Sequence, residues 1–278
     1  LASGAPISVM NAIRKQVSGI KGGRLAAAAH PARVLSLVVS DVPGDDLAEV
    51  ASGPTVASKT TRAQALSIID HYAIKLPPSI MEHLNSDTGV APSPDDPVFA
   101  RCETRLVASA ALSLEAAAAQ AHISGVPAVI LSDAIEGEAR DVGLVHAAIA
   151  REVVKRSRPF IAPVVILSGG ETTVTLRGTG GRGGRNTEFL LSFAKATEGL
   201  DGITALAADT DGIDGSEDNA GAFADGTSAT RMRAAGVDPA MALQCNDAWG
   251  AFDATSDIFA PGPTGTNVND FRAILIRG

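Results

Sequence analysis

The segment with the clearest chemical potential is a glycine-rich loop that precedes a probable helix. It reads "RGTGGRGGRNTE" and carries Arg182 and Arg185 next to Asn186. Guanidinium groups bind phosphate through paired hydrogen bonds, and backbone N–H groups at a helix N-terminus also favour anions. With Asn186 as the N-cap, the amides of Thr187 and Glu188 would lie beside both arginines. The loop therefore predicts a polyphosphate or phosphoryl site, and a flexible glycine turn with solvated arginines is the alternative.

The same loop also matches the GxGxxG pattern of dinucleotide-binding turns. Gly178, Gly180 and Gly183 fit that pattern, and Asp209 ends the next strand. In such turns the pyrophosphate lies on bare backbone at a helix N-terminus, whereas this loop continues through Gly184 before its helix can begin. A Walker A motif is excluded because no Lys followed by Ser or Thr closes the loop. The length and positive charge of the loop favour an arginine-lined phosphate site.

An acidic segment, "AADTDGIDGSEDNAGAFAD", forms the second candidate site and contains no basic residue. An EF-hand is excluded, because a loop starting at Asp209 would place Ile213 at the third ligand position and Asp214 at the position that requires glycine. Magnesium needs only one or two carboxylates when phosphates and waters complete its octahedron. Asp209 and Asp211 at a strand end would suffice for that. A solvated acidic loop with asparagine and glycine turns is the alternative.

A third group of candidates lies in the first half of the chain. It comprises Lys21 in "IKGGR", Asp41 in "SDVPGDD", and Ser52 and Thr55 in "ASGPT". An Asp at a strand end is often only a turn former, so each motif alone favours a structural role. The histidines, which stand at positions 30, 71, 83, 122 and 146, all lie outside these loops. A histidine-dependent triad and a zinc site are therefore not expected.

The elements that must position these residues follow an α/β pattern. "VLSLVV" predicts a strand that ends just before Asp41, and from Arg105 onward the chain alternates strand, helix, strand, helix. This order predicts a parallel sheet with helices on both faces. A joint at "SRPFIAP" divides the chain into domains 1–158 and 159–278. The second domain has predicted strands at "VVILSG", "TVTLRG", "ITALAAD" and "FRAILIR", with a helix over 187–196.

The amino-acid composition limits the compartments and binding partners that this protein could have. The 278 residues are 45% hydrophobic and carry a formal charge of −8, so no global field attracts nucleic acid or an anionic membrane. Cys102 and Cys245 form neither a disulfide framework nor a CxxC motif, which favours the cytoplasm. No apolar run approaches the ~20 residues that a membrane-spanning helix needs.

The motifs "NAIRKQVSGIKGGRLA", "SDVPGDD", "ASGPT", "LSGGETTVT", "GGRN" and "ADTDGIDG", in this order, resemble the class II glycerate kinases, which have a C-terminal MOFRL domain. The resemblance implies a Rossmann-like domain, an α/β MOFRL-type domain, and ATP- and Mg²⁺-dependent phosphorylation of D-glycerate to 2-phosphoglycerate in a cleft between them. Its implied partners are ATP and D-glycerate, without nucleic acid or membrane, and a homodimer is left open. Some members are labelled hydroxypyruvate reductase, so NAD(P)-dependent reduction remains the alternative.

The resemblance also implies roles for individual residues. Arg185 would contact the γ-phosphoryl oxygens, and Asp41 would orient or deprotonate the attacking hydroxyl. Asp209 and Asp211 would hold Mg²⁺. Substrate and nucleotide contacts are assigned to Lys21, Ser52, Thr55, Ser168, Gly169, Gly170, Glu171, Gly183, Gly184 and Asn186.

Two departures from the family pattern lead to further expectations. Members usually have a shorter glycine run before "GGRN" and a glutamine where this chain has Thr187, so the loop geometry is expected to differ. The family also has an N-terminal stretch, with its own glycine-rich loop and an essential lysine, that precedes the first motif of this chain. We therefore expect the 278 residues to be part of a longer enzyme and to be inactive alone. A catalytically inactive pair of domains that only binds a ligand or a partner is a third hypothesis.

Overall fold

The computed structural model describes residues 4–86, 89–177 and 180–278, which form a first unit that ends at Val107 and a second unit from Ala108 to Gly278. The first unit contains helices α1 (Ile7–Val17), α2 (Arg24–Ala29), α3 (Arg62–His71) and α4 (Pro78–Asn85), and the paired strands β1 (Val34–Val39) and β2 (Cys102–Ala108). Short 3-10 turns lie at Val50–Ser52 and Pro97–Arg101. An apolar cluster of Ile13, Ile69 and Leu84 joins α1, α3 and α4.

The second unit carries the larger sheet. The strands of the second unit are β3 (Ala128–Ile130), β4 (Gly137–Glu138), β5 (Val164–Gly170), β6 (Thr172–Thr173), β7 (Ile203–Asp209), β8 (Gly221–Asp225), β9 (Ile258–Phe259) and β10 (Asp270–Ile276), of which β4 and β6 form a separate pair. Its helices are α5 (Ala110–Ile123), α6 (Ala139–Arg156), α7 (Arg185–Ala196), α8 (Ser228–Ala234), α9 (Pro239–Gln244) and α10 (Ala248–Asp253). The predicted boundary at 158/159 falls within this unit and stays a prediction.

The closing strand β10 is inserted between β5 and β7. The sheet order is β3-β5-β10-β7-β8-β9, in which β3 and β5 are parallel and the other neighbours are antiparallel. Asp270 is therefore paired with Gly170 on one side and with Asp209 on the other. Three chain segments that are far apart in sequence therefore meet where β5 and β7 end and β10 begins. The α/β class is confirmed, with a mixed rather than purely parallel large sheet.

The strand predicted at "TVTLRG" is much shorter than expected. It is limited to β6, and its predicted last residue, Gly178, lies outside the described residues. The amides that follow β6 bind side chains instead of a neighbouring strand, because Thr175 N donates to Glu138 and Arg177 N donates to Asn246. The predicted strands over β1, β7 and β10 and the helix over α7 are confirmed to within two residues.

Helix α7 is almost entirely buried, and this fixes the position of its first residues. Phe189 and Phe193 are fully buried in the main core, together with Val153 of α6 and Ile274 of β10. Burial of one such side chain contributes about 1.5–3 kcal/mol. A Cβ atom at Gly143 of α6 would lie 2.4 Å from the backbone oxygen of Phe189, so glycine permits this close approach of α6 and α7. Across the described ranges, no helix is long and apolar enough to span a bilayer.

Candidate active site

A cleft of about 680 Å³ lies within the second unit, at the edge where β7 ends and α7 begins. Its lining includes five of the residues that sequence analysis assigned to the site, namely Gly183, Gly184, Arg185, Asp209 and Asp211. The walls come from the glycine-rich loop, the first turn of α7 and the acidic segment after β7. The structure therefore brings the two candidate loops together around one cavity.

Arg185 is held by three carboxylates. Its Nε donates to Asp270 at 2.7 Å, one terminal nitrogen donates to Asp209 at 2.5 Å, and the other donates to Glu171 at 2.9 Å. Burial alone would lower the pKa of Arg185, but the nearby carboxylates Asp270, Asp209 and Glu171 raise that pKa overall. The guanidinium is therefore charged, oriented and fixed at the cleft.

Asp270 is the hub of this arrangement, and sequence analysis did not identify it. Its Oδ1 accepts from Arg185 Nε and from Asn186 Nδ2 at 2.8 Å. Its Oδ2 accepts from Arg272 at 2.5 Å and from both the amide and the hydroxyl of Thr172 at 3.2 Å. The side chains of Asp270 and Arg272 are both fully buried. The charges at Asp270 and Arg272, two residues apart at the start of an otherwise apolar closing strand, are the sequence signal that could have indicated a buried ion pair.

Asp214 has a different role from the one that its acidic neighbourhood suggested. Its fully buried carboxylate accepts from the amide of Asn186 at 2.9 Å, and from the amide and the hydroxyl of Thr187 at 2.8 Å each. Burial raises the pKa of Asp214 to about 6, and the hydrogen bonds from Asn186 and Thr187 oppose that shift. The first amides of α7 are therefore occupied by a protein carboxylate. This corrects the expectation that the Thr187 amide is open to an anion.

The glycine-rich loop is packed against neighbouring backbone. A Cβ atom at Gly184, which is the N-cap of α7 in place of the expected Asn186, would lie 2.4 Å from Asp214. A Cβ atom at Gly181 would lie 2.2 Å from the backbone oxygen of Cys245. Glycine is therefore required at these positions by close approach. The described part of the loop, from residue 180 onward, is an ordered wall of the cleft, while Gly178 lies outside the described residues.

The two arginines of the loop have separate environments. The guanidinium carbon of Arg182 lies 3.5 Å from the centre of the Trp249 ring, and a terminal nitrogen of Arg182 is 2.7 Å from Glu217. Arg182 is not among the residues that line the cleft, whereas Arg185 is. The arginine that remains for the cleft chemistry of this loop is therefore Arg185.

Asp209 and Asp211 offer a partial donor set for a divalent cation. Asp209 is bound to Arg185 through Oδ2 and accepts from the Asp211 amide at 3.2 Å through Oδ1. Asp211 accepts from the Ile213 amide at 2.8 Å. No cluster of three or more histidine, cysteine or acidic residues is arranged as a metal site within residues 4–86, 89–177 and 180–278. Two carboxylates beside a cleft nevertheless fit the need of magnesium, which binds proteins through one or two carboxylates when phosphates supply further oxygens.

The assigned residues at the end of β5 are divided between the surface and the core. Glu171 is half exposed and reaches Arg185, whereas Ser168, Gly169 and Gly170 are buried. Ser168 Oγ lies 2.9 Å from Nε2 of His146, and Nδ1 of His146 lies 2.8 Å from a backbone carbonyl. Burial lowers the pKa of His146 to about 4, so this histidine is neutral and its Nδ1–H donates to the carbonyl. The Ser–His pair lies beneath the sheet and has no carboxylate partner at Nδ1.

The assigned residues of the first unit are grouped around two turns. Lys21 Nζ donates to a backbone carbonyl of the "ASGPT" turn at 3.2 Å, and Gly22 N donates to the backbone oxygen of Ser52 at 3.0 Å. Thr55 accepts from Ser36 of β1 at 2.7 Å. Asp41 is exposed two residues beyond the end of β1. The structure thus joins the "IKGGR" and "ASGPT" turns, as their shared assignment to one site requires.

Comparison with known proteins relates these features to a family. The model of the MOFRL family matches residues 164–270, and the model described as "Domain of unknown function (DUF4147)" matches residues 1–85. A protein of Agrobacterium vitis with the name "Putative hydroxypyruvate reductase" is 54% identical over 99% of this chain and 71% of its own length. The "Glycerate 2-kinase" of Pyrococcus horikoshii is 39% identical over 99% of this chain and 63% of its own length. The chain belongs to the MOFRL glycerate kinase family.

The solved structures of the MOFRL glycerate kinase family agree with this assignment. The crystal structure of glycerate kinase from Thermotoga maritima superposes with a TM-score of 0.90 at 37% identity, over 99% of this chain and 64% of that one. The present chain spans 62–71% of the length of four curated relatives. The names of these relatives include both the kinase and the reductase.

Proposed function

We propose that this member of the MOFRL glycerate kinase family transfers the γ-phosphoryl group of ATP to D-glycerate and forms 2-phosphoglycerate. The observation that carries the proposal is the guanidinium of Arg185, which lines the cleft and is oriented by three carboxylates. Phosphoryl transfer requires mainly positioning and stabilisation of charge on the transferring group. The kinase names of several relatives support the same reaction.

The three carboxylates around Arg185 suggest how a phosphoryl group would enter. Glu171 is 53% exposed, whereas Asp270 is fully buried and also bound to Arg272. An exposed ion pair contributes only about 0–1 kcal/mol, so Glu171 can give way to a phosphoryl oxygen at little cost. Asp270 would keep the Nε side of the guanidinium fixed during that exchange. Arg185 would then present its terminal nitrogens to developing negative charge.

The charges of the cleft also support a requirement for magnesium. Glu188 in the cleft wall is paired with Arg140, while Asp209 and Asp211 bring two carboxylates against the one guanidinium of Arg185. The carboxylates of Asp209 and Asp211 would repel a polyphosphate that has no bound metal ion. Asp209 and Asp211 would hold Mg²⁺, which when bound neutralises phosphate charge and fixes the leaving oxygen. Because Asp209 is also paired with Arg185, binding of Mg²⁺ to Asp209 is expected to be coupled to release of the Arg185 guanidinium from that carboxylate.

The remaining assignments stay predictions from the family resemblance. Asp41 is predicted to orient or deprotonate the attacking hydroxyl of glycerate. The residues predicted to contact substrate or nucleotide are Lys21, Ser52, Thr55, Ser168, Gly169, Gly170, Glu171, Gly183, Gly184 and Asn186. Of these, Gly183 and Gly184 have the strongest support because both line the cleft.

Hydroxypyruvate reduction is the second candidate function, because the relative with 54% identity carries that name. Two features weigh against it. The residues that line the described cleft include no histidine that could donate a proton to the carbonyl. In addition, the first amides of α7 bind Asp214, whereas a dinucleotide-binding turn keeps such amides open for pyrophosphate.

The deciding experiment compares both reactions in the complete gene product that contains this sequence. ADP release is measured with D-glycerate and ATP, with and without Mg²⁺, and oxidation of NADH and NADPH is measured with hydroxypyruvate. The kinase predicts Mg²⁺-dependent ADP release that requires D-glycerate. Oxidation of NAD(P)H by hydroxypyruvate, without glycerate-dependent release of ADP from ATP, would establish the reductase instead. The same assay on the 278-residue chain tests whether that chain is inactive alone.

A further inference from the structure

We propose that Asp214 and Thr187 are positioning residues that set the location of Arg185 by fixing the backbone on both sides of it. The inference rests on the proposed function, since it assumes that Arg185 acts on the transferring phosphoryl group. Neither Asp214 nor Thr187 is assigned to substrate, nucleotide or metal, and neither lines the cleft. Their contacts nevertheless enclose the residue at the centre of the proposed chemistry.

Hydrogen bonds hold the backbone on both sides of residue 185. The Thr187 hydroxyl accepts from Gly184 N at 3.0 Å and donates to Asp214 Oδ2 at 2.8 Å. Asp214 Oδ1 accepts from Asn186 N at 2.9 Å. Gly184 is therefore bound to the side chain of Thr187, Asn186 is bound to the side chain of Asp214, and these two side chains are bound to each other. This arrangement leaves the peptide units on either side of Arg185 little freedom.

The backbone around these hydrogen bonds is closely packed. Asp214 and Thr187 are both fully buried. A Cβ atom at Gly184 would lie 2.4 Å from Asp214 Oδ1, and a Cβ atom at Gly215 would lie 2.5 Å from the backbone oxygen of Gly183. The loop and the Asp214 turn are in backbone contact, so a change in one must displace the other. The guanidinium of Arg185 would be displaced with its own backbone.

The hydrogen-bonding groups at these two positions require a carboxylate and a hydroxyl. Asp214 accepts through both oxygens from two amides and one hydroxyl, which only a carboxylate can do. An asparagine has one accepting oxygen, and its NH₂ group would face a second donor. The positive end of the α7 dipole also stabilises a carboxylate at this place. The Thr187 hydroxyl is needed both as a donor to Asp214 and as an acceptor from Gly184.

Asp214 and Thr187 act differently from Asp270. Asp270 binds the guanidinium itself, so its removal changes the charge around the reacting group directly. Asp214 and Thr187 hydrogen-bond to backbone groups and to each other rather than to the guanidinium of Arg185, and Asp214 Oδ1 also lies 3.5 Å from the side-chain Nδ2 of Asn186. Their loss would leave all three carboxylates of the guanidinium in place. The expected effect is therefore displacement of a charged group from its productive position.

The test uses a matched pair of substitutions in the complete gene product. Thr187→Val has nearly the same shape and removes the hydroxyl, whereas Thr187→Ser retains the hydroxyl and removes a methyl group. Misplacement of a catalytic group by 1 Å can cost about a hundredfold, so we expect Thr187→Val to lower kcat at least ~10-fold with the KM for D-glycerate unchanged. Thr187→Ser is expected to restore most of the kcat.

Hydrogen exchange provides a readout that does not depend on activity. In Thr187→Val, the amides of residues 184–187 should exchange faster, while those of β7 keep their protection. Asp214→Asn should give the same local increase in amide exchange with a larger fall in kcat. If this variant unfolds globally, faster exchange throughout the chain will show it. The inference is overturned if Thr187→Val keeps the kcat of the unmodified protein while Arg185→Lys loses it. If Arg185→Lys itself retains kcat, the premise that Arg185 acts on the phosphoryl group fails and the inference falls with it, whereas the proposed function fails only if the unmodified protein releases no ADP with D-glycerate.

Discussion

Arg185 and Asp270 form a direct ion pair, with Arg185 Nε 2.7 Å from Asp270 Oδ1, although 85 positions separate them in the chain. One residue begins α7 and the other begins β10. The pair exists because β10 is inserted between β5 and β7, which places its first residue beside the strand ends that carry Gly170 and Asp209. The sheet register thus determines which carboxylate orients the guanidinium.

Replacement of Asp270 is expected to reduce stability strongly. In Asp270→Asn, the fully buried Arg272 would lose its charged partner. Breaking a buried ion pair by removing one member typically costs about 3–5 kcal/mol, because the other charge remains buried without compensation. The free energy of unfolding from urea titration measures this change.

Glu171→Gln is the matched control, because Glu171 pairs with the same Arg185 from a half-exposed position. An exposed ion pair contributes about 0–1 kcal/mol, so this variant should unfold close to the unmodified protein. Equal losses of stability in Asp270→Asn and Glu171→Gln would contradict the account of Asp270 as a buried hub.

The pH dependence of stability should contain a contribution from His146. Burial lowers the pKa of His146 to about 4, whereas the unfolded chain takes up this proton near pH 6.5. The unfolded state therefore binds more protons between these values, and stability falls as the pH drops through that window. At about 1.36 kcal/mol per pKa unit, the contribution amounts to roughly 3 kcal/mol.

His146→Gln should flatten the acid limb of the stability curve between about pH 6.5 and pH 4, as measured by urea titration at several pH values. His122→Gln, at an exposed position on α5, is the control for loss of a histidine. Other carboxylates titrate in the same range, so the test is the difference between variant and unmodified protein. A slope that does not change in His146→Gln would show that His146 is not buried as described.

The metal assignment predicts opposite effects of one substitution under two conditions. Asp209→Asn should weaken binding of nucleotide in the presence of Mg²⁺. It should also tighten binding of metal-free nucleotide, because it removes a carboxylate that is 2.5 Å from Arg185. Calorimetric titration with a non-hydrolysable ATP analogue, with Mg²⁺ or with a chelator, measures both effects.

Asp211→Asn separates the two roles, because the carboxylate of Asp211 binds the Ile213 amide and the Asn267 side chain rather than Arg185. It should weaken Mg²⁺-dependent binding and tighten metal-free binding less than Asp209→Asn does, because it removes one repelling carboxylate without freeing Arg185. A loss of the same size with and without Mg²⁺, in either variant, would indicate a structural role for that carboxylate.

Local sequence patterns were sufficient for much of the fold and for part of the site. The apolar runs of β1, β7 and β10 and the periodicity of α7 depend on neighbouring residues, so their positions could be predicted. Local patterns identified Arg185 and Asp209 as members of two separate candidate sites, and the family resemblance implied the single cleft that both residues line.

The contacts that orient these groups could not be predicted in the same way. The role of Asp270 depends on the insertion of β10 between two strands, and the role of Asp214 depends on how its turn folds back onto α7. The stacking of Arg182 on Trp249 likewise joins segments that are remote in sequence. Local patterns therefore identified the charged groups, while long-range packing determined their partners.

The measurement that tests the central claim most directly is kcat of Arg185→Lys in the complete gene product, from ADP release with D-glycerate, beside Arg182→Lys. A lysine cannot reproduce the planar fork, and loss of one positioned donor typically costs about 2.7–4 kcal/mol, or a hundredfold to a thousandfold in kcat. Arg185→Lys should show that loss with a smaller change in KM and an unchanged circular dichroism spectrum. Arg182→Lys should be much milder, because Arg182 stacks on Trp249 outside the cleft lining. Near-normal kcat in Arg185→Lys would contradict the claim that Arg185 stabilises the transferring phosphoryl group.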